Sequence, residues 1–167
     1  MRWIVPMALA FVVATPAAGK AGTPIGYVKK IDGTVVLTRA GESGLVAVGT
    51  AIEEGDVIES CGESAVGFTL RDGTTLSTGN ETVVAIENYA YSGDASTVGL
   101  SLHVSEGILE MITGGIAAMA PGSVAITTPN GTVGLEGTHL AVKVEPDDDA
   151  ESACEGIPPH EHWHVEG

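Results

Sequence analysis

The chain has 167 residues, 44% of them hydrophobic, and a formal charge of −15 from 22 Asp and Glu against 7 Lys and Arg. So acidic a surface opposes phosphate backbones and anionic headgroups, which excludes nucleic acid as a partner and disfavours electrostatic attachment to lipid. The length suits one domain with a single core.

Residues 1–19 have the layout of a secretory signal peptide. After Met1-Arg2, Ile4 to Val13 is an apolar run broken by Pro6, and Ala14-Thr15-Pro16-Ala17-Ala18-Gly19 supplies the small residues that signal peptidase accepts. The run falls short of the roughly 20 apolar residues that span a bilayer, and no later stretch is long or apolar enough, so no stable membrane insertion is expected. Cleavage is expected after Gly19, with Ala21 as the alternative, which places the rest of the chain in the periplasm or outside the cell.

From Ile25 the sequence consists of short alternating runs punctuated by glycine. GYVKKIDGTVVLTR predicts a hairpin turning at Asp32-Gly33. Val46 to Ile52 is a short apolar patch, and Glu54-Gly55-Asp56 turns into Val57-Ile58-Glu59. Val66, Phe68 and Leu70 alternate onto one face before a second turn at Asp72-Gly73. Val98, Leu100, Leu102 and Val104 form the plainest strand pattern, separated by Gly107 from Ile108 to Ile112. Only Gly115 to Met119 has room for a helical turn. Val124 and Ile126 lead into Pro129-Asn130-Gly131, a tight-turn signal, and Leu140, Val142 and Val144 then share a face opposite His139 and Lys143. Strands at this spacing predict an all-β fold over residues 25–145, a single domain of short antiparallel strands forming a sandwich or a rolled, β-helical sheet.

From Glu145 onward acidic residues crowd, and residues 146–167 read as an acidic, flexible tail. His160, His162 and His164 alternate in HEHWH, so an extended backbone points all three imidazoles the same way, a candidate metal-binding cluster for zinc, copper or nickel. Asp147-Asp148-Asp149 lacks the spaced carboxylates and central glycine of a calcium loop and reads as a solvated run. Cys61 and Cys154 are an even count for an exported chain. A bridge between them ties the tail to the body, and chain entropy gives it ~4 kcal/mol. Two unrelated thiols are the other reading.

Catalytic patterns are missing. There is no GxSxG, and no histidine is tied to a nucleophile. The carboxylates follow from overall acidity, no pair being placed across a cleft, and no phosphate-cradling glycine loop precedes a helix. The chain is read as no enzyme, with no cofactor.

Five stretches together resemble the FecR-type domain, a periplasmic module of bacterial signalling and envelope proteins. IGYVKKIDGTVVLTR is similar to its opening strands with their G-x-v-x-v-x-R pattern, and LVAVGTAIEEGDVIES to its G-D segment, with Gly49, Gly55 and Asp56 in place. SAVGFTLRDGTTLSTGNETVVAIENYAY resembles its central strand and DGt turn, SLHVSEGILEMITGGIA the v-x-G-x-l stretch, and ITTPNGTVGLEGTHLAV the closing signature. The match spans Ile25 to Val144, with one departure: Glu136 stands where the family usually carries arginine. The resemblance implies a non-catalytic envelope module that acts by contacting another envelope protein, without the transmembrane helix or sigma-factor-binding segment of iron-uptake regulators. The final strand, Thr138 to Val144, is the expected contact edge, with His139 and Lys143 as its cationic face. A small-ligand or metal-binding envelope protein using the histidine tail is the alternative.

Overall fold

The computed structural model describes residues 22–135, 137–145 and 152–155. The fold is all-β and hangs on three strands of 14 residues each: β1 (Gly26–Arg39), β4 (Val57–Leu70) and β7 (Gly99–Ile112). Shorter strands fill the space around them: β2 (Glu42–Leu45), β3 (Ala51–Ile52), β5 (Thr75–Thr78), β6 (Thr82–Ala90), β8 (Val124–Thr128), β9 (Gly131–Leu135) and β10 (His139–Val144). A 3-10 turn at Ala95–Thr97 and one short helix, α1 (Gly115–Met119), complete the described elements.

β1 and β4 pair antiparallel along most of their length. β6 and β5 then sit one after the other between β4 and β7, β6 on the first part of β7 and β5 on its last turn of sequence. On the far side of β7 lie β8, paired in parallel, and β10, paired antiparallel. Each long strand thus has different neighbours at its two ends, so one continuous ten-stranded sheet rolls over a common core. The β7–β8 pair is the single parallel ladder among the described strands.

The expected hairpin at Asp32-Gly33 is corrected by the structure. β1 runs straight through that dipeptide, and the register with β4 slips there and again between Val28 and Lys30. Gly33 adopts φ 80°, and a Cβ on it would stand 2.3 Å from Ser64 Oγ; the next residue, Thr34, donates its N–H to that same oxygen at 2.8 Å. A glycine at positive φ serves a bulge as well as a turn. Gly107, with φ 89°, interrupts nothing either and lies within β7. These bulges let long strands bend across the roll, which explains why the strands are longer than the sequence suggests.

Alternation supplies the core. Val66, Phe68 and Leu70 of β4, Leu100, Leu102 and Val104 of β7, and Val124 and Ile126 of β8 are all buried in one apolar cluster. Burial of such side chains stabilises by about 1.5–3 kcal/mol each. Val144 is the buried end of β10, with Leu140 and Val142 partly buried against the same cluster.

Candidate functional site

The polar residues that carry the family-like pattern are used in holding the fold. Arg39, at the end of β1, reaches the turn before β4. Its Nε and Nη2 donate to Asp56 Oδ1 and Oδ2, both at 2.7 Å, Nη1 donates to Glu53 Oε1 at 3.0 Å, and Nη2 also donates to the Ala51 carbonyl at 2.9 Å. Asp56 is fully buried and also accepts the Glu53 N–H at 2.8 Å. The hydrogen bond that Arg39 donates to Asp56 raises the Arg39 pKa above its ordinary value, against the opposing effect of burial, with the charges of Asp56 and Glu53 adding to the rise. Asp72, in the turn after β4, plays a similar part. Its carboxylate accepts from Thr74 Oγ1 at 2.6 Å, from the Thr74 N–H at 3.2 Å and from the Ile116 N–H at 3.2 Å, tying the turn to α1. A reader with sequence alone sees a GD and a DGT; the structure shows two anchors.

The predicted contact residues lie on an outer sheet face. Register sets His139 beside Ile112, Ala141 beside Glu110 and Lys143 beside Ile108. Continuing sideways through β5 and β4 to β1, one row reads His139, Ile112, Thr75, Thr69 and Tyr27. The next row reads Ala141, Glu110, Ser77, Gly67 and Lys30. Residues directly opposite on neighbouring strands share a face, so this is a shallow surface of small and hydroxylic side chains. Ile108 (41% exposed), Ile112 (55%) and Tyr27 (44%) stand on it. Lys29 lies over the Tyr27 ring, its Nζ 5.9 Å from the centroid, so Lys29 and Lys30 mark one rim and Lys143 the other. Lys143 makes an exposed ion pair with Glu145 at 2.9 Å. Among the described residues β10 pairs with β7 alone, leaving its outer backbone edge open.

Cys61 and Cys154 are bonded, with Cα atoms 5.6 Å apart. The bond fastens residues 152–155 to β4, where the carboxylate of Glu59 accepts from the Ser152 hydroxyl and, at 2.9 Å, from the Ala153 N–H. His160, His162 and His164, Asp147 to Asp149, Glu136 and residues 1–19, the expected signal peptide, lie outside the described residues. Among the described residues no group of three or more His, Cys, Asp or Glu is placed to hold a metal, and no helix is long and apolar enough to cross a membrane.

Sequence reasoning missed a cleft of about 370 Å³ between the start of the fold and two turns, lined by Gly22, Thr23, Ile25, Glu53, Glu54, Arg71, Tyr89 and Tyr91. Tyr89 is its buried floor. Burial, and then the charge of Asp72, push the Tyr89 pKa up to about 12. No periodicity announces the cleft, because its residues come from four separate stretches of chain. Comparison with family models, curated proteins and solved structures gives no match.

Proposed function

We propose that this protein is a non-catalytic, exported envelope module of FecR type that binds a protein partner through the β10 edge and the outer face beside it. The observation that carries the reading is the open edge of β10, flanked by His139 and Lys143 on a chain that is otherwise strongly acidic. Unpaired strand groups accept a partner strand, and a local cationic rim steers an acidic one. The bonded cysteines support an oxidising compartment such as the periplasm. The use of Arg39, Asp56 and Asp72 as anchors supports a scaffold over a reaction centre, since each is satisfied by its own neighbours.

The test is capture of envelope proteins on the immobilised chain, repeated with Lys143→Glu and Lys30→Glu together and again at raised salt. Both side chains are exposed, so the double variant should stay folded. Loss of a captured protein with the variant, and weakening with salt, is the expected result. Capture that is insensitive to both would sink the edge and its rim as the contact surface. N-terminal sequencing of the exported protein checks the compartment, with Lys20 or Gly22 expected first.

A further inference from the structure

The cleft over Tyr89 is lined by side chains of both charges, Glu53 and Glu54 on one stretch of chain and Arg71 on another. At one end of Tyr89 its backbone N–H donates to Glu54 Oε2 at 2.8 Å. At the other, the Tyr89 hydroxyl accepts the Asp72 N–H at 2.9 Å and lies 3.4 Å from Asp72 Oδ1. The phenol ring therefore spans from Glu54 to the turn that bears Arg71. The Arg71 charge reaches the phenol, partly offsetting the burial and the Asp72 charge that raise its pKa. Backbone hydrogen bonds fix both ends: the Arg71 N–H donates to the Ile25 carbonyl at 2.7 Å, and the Gly55 N–H to the Ile86 carbonyl at 2.8 Å.

Two facts make this more than a cluster of charges. Among the described residues neither Arg71 nor Glu54 takes part in an ion pair, whereas the neighbouring Glu53 is already paired with Arg39. Both also line a cavity whose size falls in the lower range of small-molecule sites. A simple cation would meet Arg71, and a simple anion would meet Glu53 and Glu54, so neither class fits the whole cleft. A molecule bearing an ammonium at one end and a carboxylate at the other fits both. We propose that the cleft binds a short zwitterionic peptide of about dipeptide length, its amine on Glu54, its carboxylate on the Arg71 fork and its body across Tyr89 and Tyr91. Arg matches a carboxylate with two parallel hydrogen bonds, which gives the site a direction.

This proposal is independent of the β10 edge. The experiment is a nuclear magnetic resonance titration of the purified protein with alanyl-alanine, following the backbone amides of Glu54, Arg71 and Tyr89. N-acetyl-alanyl-alanine and alanyl-alanine amide remove one end charge each. Saturable shifts at those amides are expected with the free dipeptide, with affinity reduced about tenfold by either cap. Arg71→Gln and Glu54→Gln should each weaken binding by about tenfold as well, since each loses a charge-assisted contact. Both side chains are exposed, and Gln at position 54 keeps an oxygen for the Tyr89 N–H, so the unfolding midpoints should match that of the unaltered chain. Absence of saturable shifts overturns the proposal. So does equal binding of capped and uncapped peptides, or binding indifferent to both substitutions.

Discussion

Replacing Arg39 with alanine tests the anchor between β1 and the turn before β4. The substitution leaves the carboxylate of Asp56, 0% exposed, with the Glu53 N–H as its remaining donor. Removing one partner of a buried pair costs about 3–5 kcal/mol, because the other charge stays desolvated. The Arg39 side chain is 38% exposed, so solvent screens part of that, and about 2–4 kcal/mol is expected. Arg39→Lys keeps the charge but loses the two-pronged contact and should cost about 1–2 kcal/mol. Urea unfolding followed by far-ultraviolet circular dichroism gives these differences. Lys29→Ala changes net charge equally and controls for long-range effects. Asp56→Asn completes a double-mutant cycle, for which a coupling of about 1–3 kcal/mol is expected. A coupling below about 0.5 kcal/mol, or an Arg39→Ala protein as stable as the Lys29→Ala control, would refute the anchor.

Gly107→Ala should destabilise by about 2 kcal/mol or more, since the glycine has φ 89° and an added Cβ would stand 2.3 Å from Thr82 Oγ1 and 2.5 Å from the Glu81 carbonyl. Gly122→Ala, at φ 86° with nothing within 4 Å, isolates the backbone term and should cost only about 1 kcal/mol; equal losses at the two sites would remove the steric argument. Tyr89→Phe deprives the Asp72 N–H of its acceptor and should cost about 1–3 kcal/mol at neutral pH. The folded phenol titrates at about 12 against about 10 unfolded, so its pH-linked stabilisation is complete below pH 10 and is lost as pH rises through 12. In that window the unaltered chain should lose up to ~1.4 kcal/mol per pH unit more than Tyr89→Phe, and a gap between the two that stays constant would contradict the buried phenol.

Much of the fold was legible from period-two patterning. Phe68 and Leu102 are flanked two residues away by apolar side chains and by small or polar ones in between, and both are fully buried. Asp32-Gly33 misled because its glycine signals positive φ without saying whether the chain reverses; the deciding contact, Ser64 Oγ, comes from another strand. His139 and Lys143 could be placed on the outer face of β10 from alternation alone, but their neighbours Ile108 and Ile112 depend on register with β7. The Arg39–Asp56 anchor joins two recognisable sequence patterns, yet neither pattern names its partner. The cleft was illegible for a stronger reason. Glu54, Arg71 and Tyr89 meet only because the roll brings the turns after β3 and β4 to the end of β6.

The Cys61–Cys154 bond also decides how the molecule would respond to being pulled. It closes a loop with a sequence separation of 93 residues, containing everything from the middle of β4 through β10. Tension applied between the two ends of the chain would pass along β1, β2 and β3 to Cys61 and leave directly through Cys154. The covalent path would bypass the enclosed strands, β10 among them, whereas stripping β1 from residues 65–70 would open the cleft, which Thr23, Ile25, Glu53 and Glu54 also line. Force would strip the sheet from the β1 side, and the extension released between Gly22 and Cys61 would be limited to roughly 140 Å. Reduction of the bond would leave Ser152 and Ala153 held by Glu59 and pass the load on to β10, which among the described residues pairs with β7 alone. The same bridge thus keeps β10 out of the line of force while it is intact, and puts β10 into that line once it is reduced.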